Sequence, residues 1–138
     1  MTELEQMEAI TEARYQQQQQ GFQRVLAEEN RLRSELMRLD EHLRETRITS
    51  HDDTRIRAIG ADVIWQAWAG RRKTELNMKL ARVLAMKEHH LAQVRRAYGK
   101  LLVSRELIAQ ERDLLKRQKA RTELDRAIDQ SLLHRPGQ

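Results

Sequence analysis

The chain is 138 residues long, enough for one domain, and 34% of it is charged, while it carries only 2 Trp, 2 Tyr, 1 Phe, 5 Gly, 1 Pro and no Cys. That composition excludes disulfides and thiolate metal sites, and it is too poor in large apolar side chains for a thick globular core although rich in strong helix formers. Residues 1 to 53 hold 7 Arg and no Lys against 12 Asp plus Glu, a net of −5, and residues 54 to 138 hold 19 Lys plus Arg against 9 Asp plus Glu, a net of +10, so the two halves attract when folded together.

The first predicted element is a helix over about residues 2 to 47. Spacings of three and four place Leu4, Glu8, Thr11, Tyr15, Gln18, Phe22, Val25, Glu29, Leu32, Leu36, Leu39, Leu43 and Thr46 on one stripe. From Phe22 to Leu43 that stripe is apolar except at Glu29, whereas the N-terminal half, with its run Gln16 to Gln20, is polar and looser. The glutamines read as a solvated helix face.

A polar turn over about residues 48 to 53 follows. Thr49, Ser50, Asp52 and Asp53 can all accept hydrogen bonds from a new helix, and Ser50 with Asp53 has the spacing of a capping box.

The second helix is expected over about residues 53 to 133, roughly 120 Å if unbroken at 1.5 Å per residue, with residues 134 to 138 a disordered tail. Its stripe reads Ile56, Ile59, Val63, Gln66, Gly70, Lys73, Asn77, Leu80, Leu84, Lys87, Leu91, Val94, Tyr98, Leu101, Arg105, Ile108, Arg112 and Leu115. The fold class is therefore all-α: an antiparallel two-helix coiled-coil hairpin forming one domain, with the second helix longer than the first. A turn centred near His51 sets Leu43 near Ile59, Leu39 near Val63, Phe22 near Leu80, and Leu32 opposite Gly70. It also sets Glu29 across from Lys73, a structural ion pair that would fix the register.

Two surfaces remain outside that hairpin. By the heptad count Trp65 and Trp68 point away from Ile56, Ile59 and Val63; either the seam shifts here and takes the rings in, or they form an exposed aromatic patch rimmed by Arg71 and Arg72, the composition of a binding hot spot. In the same register residues 99 to 133 have no partner inside the chain, yet they carry Leu101, Ile108 and Leu115. An apolar stripe on a solitary helix implies a second subunit or another protein.

Catalytic chemistry is not in evidence. Neither a phosphate-binding glycine loop nor a metalloprotease or hydrolase motif occurs, and His89 and His90, adjacent on a helix, point about 100° apart and cannot chelate one ion as an i, i+4 pair can. We expect no enzyme, no metal, no cofactor and no small-molecule substrate. Between Arg71 and Arg105 there are 10 Lys plus Arg against Glu75 and Glu88, a surface able to bind phosphate backbones, but much of it faces the acidic first arm. No window approaches about 18 uncharged apolar residues, and Met1-Thr-Glu-Leu-Glu is acidic where a signal peptide is basic and then apolar, so no membrane insertion and a cytoplasmic location are expected.

A short chain of two antiparallel helices with unequal arms, both termini at one end and a polar turn at the other, resembles the FliJ/YscO-type stalk proteins of flagellar and type III secretion export. Segments such as Leu76-Asn-Met-Lys-Leu-Ala-Arg-Val-Leu-Ala and Leu91-Ala-Gln-Val-Arg-Arg-Ala-Tyr look like that family's second helix. The resemblance implies a shaft whose terminal end enters a hexameric export ATPase and whose side touches the export gate. It thus implies a cytoplasmic protein peripheral to a membrane-embedded machine, with Trp65 and Trp68 facing the gate. The competing expectations are a basic coiled-coil nucleic-acid binder and a self-assembling coiled coil joined through residues 99 to 133.

Overall fold

The computed structural model describes the backbone of residues 2–52 and 56–134, and the side chains of residues 2–47 and 60–134. Helix α1 spans Glu3–Asp52 and helix α2 spans Ile56–Leu133, 50 and 78 residues long, and the described residues contain no strand. Thr2 caps α1: the Glu5 backbone N–H donates to Thr2 Oγ1 at 3.2 Å, and Thr2 N donates to the Glu5 carboxylate at 3.0 Å, a reciprocal box that satisfies two otherwise orphaned donors. At the far end α1 runs through Ile48 to Asp52, where a turn was expected. Thr49 and Ser50 are only mildly unfavourable in a helix, and no Gly or Pro lies there to end it. Ser50 is thus inside α1 rather than capping α2, and Asp53, like residues 135–138 of the expected tail, lies outside the described residues.

The chain divides into two units, one made of Gln17–Arg95 and the other of Met1–Gln16 with Arg96–Gln138. In the Gln17–Arg95 unit the core is Leu32, Leu39, Ala69 and Leu76, with Leu36, Leu43, Leu80 and Val83 packed against it. Lys87 meets Glu29 at 3.0 Å, Arg72 meets Glu35 at 3.3 Å and Lys73 meets Asp40 at 3.1 Å. Glu29 meets Lys87, whereas Glu35 and Asp40, later in α1, meet Arg72 and Lys73, earlier in α2, so the helices are antiparallel.

In the other unit α1 again lies antiparallel on α2. Its seam alternates small and large side chains: Ala97, Leu101, Ser104 and Ile108 are buried, the Thr11 and Ser104 hydroxyls share a hydrogen bond of 3.0 Å, and the Tyr15 and Tyr98 rings stand 5.2 Å apart. Arg105 reaches Glu8 at 3.4 Å and Glu12 at 3.8 Å.

These pairings correct the expected register. Lys73 pairs with Asp40, and Glu29 is partnered instead by Lys87, 14 positions further along α2, and by Arg33 of its own helix at 3.1 Å, so the expected Glu29–Lys73 pair is not formed. Val63 is 61% exposed rather than set against Leu39, and Leu80 packs on the Leu32–Leu76 core; the Ile59 side chain lies outside the described residues. Leu32 packs with Ala69 and Leu76, while a Cβ placed on Gly70 would meet nothing within 4 Å.

Two causes act together. A break that comes later in the chain displaces the partner on α2 by two residues for each residue it moves. And α2 rotates: between residues 60 and 80 its inward stripe is Asp62, Trp65, Ala69, Arg72 and Leu76, one position away from the expected Val63, Gln66, Gly70, Lys73 and Asn77. The rotation replaces Gln66, Gly70 and Asn77 by part of an indole, Ala69 and Leu76, exchanges Lys73 for Arg72 and gives up Val63 for Asp62, a net gain of apolar burial. Further on the stripe continues regularly through Val83, Lys87, His90, Val94, Ala97, Leu101, Ser104, Ile108 and Glu111, all buried or half-buried.

Candidate functional site

Trp65 sits half-buried at the edge of the seam, and Trp68, one turn on and 46% exposed, stacks against it with ring centroids 5.0 Å apart and planes inclined by 22°. The pair borders an open groove of about 320 Å³ whose floor is Leu39 and Leu76 and whose rim is Glu35, Arg38, His42 and Arg72. A groove of this lining accepts an apolar side chain, and the exposed Trp68 face offers it a stacking partner. The Trp65 indole N–H is buried without a hydrogen-bond partner.

Of the residues expected around this patch, Trp65, Trp68 and Arg72 come together. Arg71 does not: it lines a separate groove with Gln66, Ala67, Gly70, Thr74 and Glu75. Arg72 is held by Glu35 and, at 3.2 Å, by Glu75, so its charge is already neutralised at the rim. Glu35 is also met by Arg31, which binds Glu28 as well; the Arg31 guanidinium is held more firmly protonated and the Glu28 carboxyl lies below the usual carboxylate range, each through the hydrogen bond to the other. The hydrogen bond from Lys87, followed by that from Arg33, likewise holds the Glu29 carboxyl low against the opposing effect of desolvation.

The basic stretch is partly consumed in the same way. Among the described residues, Arg72, Lys73, Lys87 and Arg105 each pair with an acid of α1. No group of three or more His, Cys, Asp or Glu among them could hold a metal ion, and no helix is long and apolar enough to cross a membrane.

The second surface starts later than expected. Leu101 and Ile108, assigned to an unpartnered stretch, are 2% and 7% exposed because the displaced register brings α1 over them. Of the three residues assigned there only Leu115, 57% exposed, stands clear. From residue 112 to residue 134 every side chain is exposed, including Leu114, Leu124, Ile128 and Leu132. Leu114 belongs to the stretch expected to lack a partner, whereas Leu124, Ile128 and Leu132 were not singled out from the sequence. The signal was present, because after Leu115 the seam's phase turns polar through Gln118, Thr122, Asp125 and Asp129, while Leu124, Ile128 and Leu132 lie on a neighbouring face.

No protein-family model matches the chain, and no curated protein or solved structure compared with it matches either.

Proposed function

We propose that this chain is a non-enzymatic coiled-coil stalk or adaptor of a flagellar or type III protein export apparatus, acting in the cytoplasm through contacts with a hexameric export ATPase and the export gate. The observation that carries the reading is the uncovered end of α2. Residues 112 to 133 form a continuous helix that α1 does not reach and that exposes Leu114, Leu115, Leu124, Ile128 and Leu132, side chains that stabilise little until another surface buries them. In this reading they are the shaft tip that enters the ring. The stacked Trp65–Trp68 pair beside its groove is the lateral contact with the gate. Glu8 and Glu12, near the start of α1, are engaged by Arg105, which lowers the negative charge that this end would present to a ring.

The test is to mix the purified full chain with the hexameric export ATPase of its own source and to follow the mass of the complex by light scattering and the rate of ATP hydrolysis. One chain per hexamer with altered hydrolysis, lost on truncation after Glu111, is the expected result. Failure to associate with the ring, together with binding to duplex DNA that falls steeply with salt, would replace this reading with that of a basic nucleic-acid binder.

A further inference from the structure

The uncovered stretch of α2 has an order of charges that selects its partner. At about 100° per residue, Leu114, Arg117, Arg121, Leu124, Ile128 and Leu132 fall within about a quarter turn of one another, and Asp125 and Asp129 border the same face. All are exposed. Arg112, Lys116, Lys119 and Arg126 lie on the opposite side, where water covers them. Along the apolar face Asp113, which borders it and pairs with Arg117, is followed by both arginines and then by Asp125 and Asp129. An acidic partner would neutralise one half and be repelled by the other, and a basic partner would do the reverse. A parallel copy would set arginine beside arginine. A copy running the other way sets both arginines against aspartates.

We propose that this face binds a second copy of the chain, antiparallel and about a two-fold axis near residue 123. A single register satisfies three pairings at once: Arg117 lies opposite the partner's Asp129, Arg121 opposite the partner's Asp125, and Leu114 opposite the partner's Leu132, each occurring twice by symmetry. Leu124 and Ile128 carry the apolar surface between these pairs. Charged pairs within an apolar stripe contribute more to register and orientation than to affinity, and here they specify the antiparallel arrangement. Arg117 already contacts Asp113 of its own helix at 3.1 Å, an exposed i, i+4 pair of small energy that it can exchange or share. The dimer is independent of the export reading. Because it uses the same stretch, dimer formation and ring entry exclude each other, and a ring that engages this helix would dissociate the dimer.

Sedimentation equilibrium on the full chain, with circular dichroism to monitor helicity, tests this directly. Wild type should form a dimer. The variant Arg117→Asp/Arg121→Asp carries four acids on the face, and Asp125→Arg/Asp129→Arg carries four bases; each should weaken its own dimer by at least about tenfold, and an equimolar mixture should recover a dimer containing one chain of each. The milder Arg117→Gln/Arg121→Gln should weaken the dimer less while keeping helicity, which separates lost pairing from lost helix. A wild type that stays monomeric at every concentration, including one that binds DNA or anionic vesicles through this helix instead, would overturn the proposal. So would dimers in both charge variants as strong as that of wild type, or a mixture that fails to recover.

Discussion

Residues 96 to 111 and residues 112 to 133 belong to one unbroken helix, yet α1 covers the first stretch and leaves the second exposed. In the covered stretch the seam positions are Ala97, Leu101, Ser104, Ile108 and Glu111, small or apolar side chains with one polar end; carried on at the same spacing they become Leu115, Gln118, Thr122, Asp125 and Asp129. A helix merely deprived of its partner would keep its stripe in phase. Here the seam phase turns polar after Leu115 while Leu124, Ile128 and Leu132 lie on a neighbouring face, so the exposed stretch is patterned for a different contact.

The largest expected effect separates the two stretches by stability. Leu101→Ala removes a side chain that is 2% exposed and should cost about 2–5 kcal/mol in urea denaturation, whereas Leu124→Ala, 60% exposed, should stay within about 0.5 kcal/mol. Equal losses would mean that the exposed stretch is also packed within the monomer.

Hydrogen bonding gives a finer contrast. Ser104, fully buried, bonds Thr11 across the seam and donates to the Leu101 carbonyl at 2.8 Å. Ser104→Ala should cost about 1 kcal/mol, and Thr11→Val in that background should then cost little more. Thr122 also donates to a carbonyl of its own helix, that of Gln118 at 2.9 Å, but faces water, and Thr122→Ala should leave the urea midpoint unchanged.

Charge gives the smallest effect, seen in acid. The Glu29 carboxyl, depressed by Lys87 and Arg33, contributes stability that is present above the ordinary carboxyl value of 4.5 and is lost as pH falls through its lower folded value. Glu29→Gln should flatten that part of the acid limb, and a double-mutant cycle with Lys87→Ala should show coupling. The exposed Asp113–Arg117 pair on the uncovered stretch should show none.

How the sequence failed is as physical as how it succeeded. Every stripe position expected on α1, from Leu4 to Thr46, is buried or half-buried, because that helix carries large residues at nearly every seam slot and a weak Gln run elsewhere. On α2 the expected stripe holds at Leu80, Leu84, Lys87, Leu91, Val94, Leu101 and Ile108 but fails from Val63 to Asn77 and at Tyr98 and Arg105. Tyr98 is 44% exposed and Val63 61% exposed, while Ala69, Ala97 and Ser104 took the seam, since small residues let two helices approach closely and hydropathy ranks them low. The break was placed too early because Thr49, Ser50 and Asp52 look like a turn while lacking a residue that forces one. That single misplacement carried Leu101 and Ile108 out of the seam on paper. The Trp65–Trp68 pair was legible as a cluster, but its tilt into the seam edge depended on a rotation that only packing against Leu39 and Leu76 decides.

The central claim is that α2 beyond Glu111 adds nothing to the hairpin's stability and carries its contact with other molecules. The most direct measurement is to compare the full chain with a chain ending at Glu111 by thermal melting and by sedimentation equilibrium. The truncated chain should melt at the same temperature as the full chain studied as a monomer, and should no longer dimerise or associate with the export ring. A marked fall in its melting temperature, or a dimer that survives the truncation, would contradict the account.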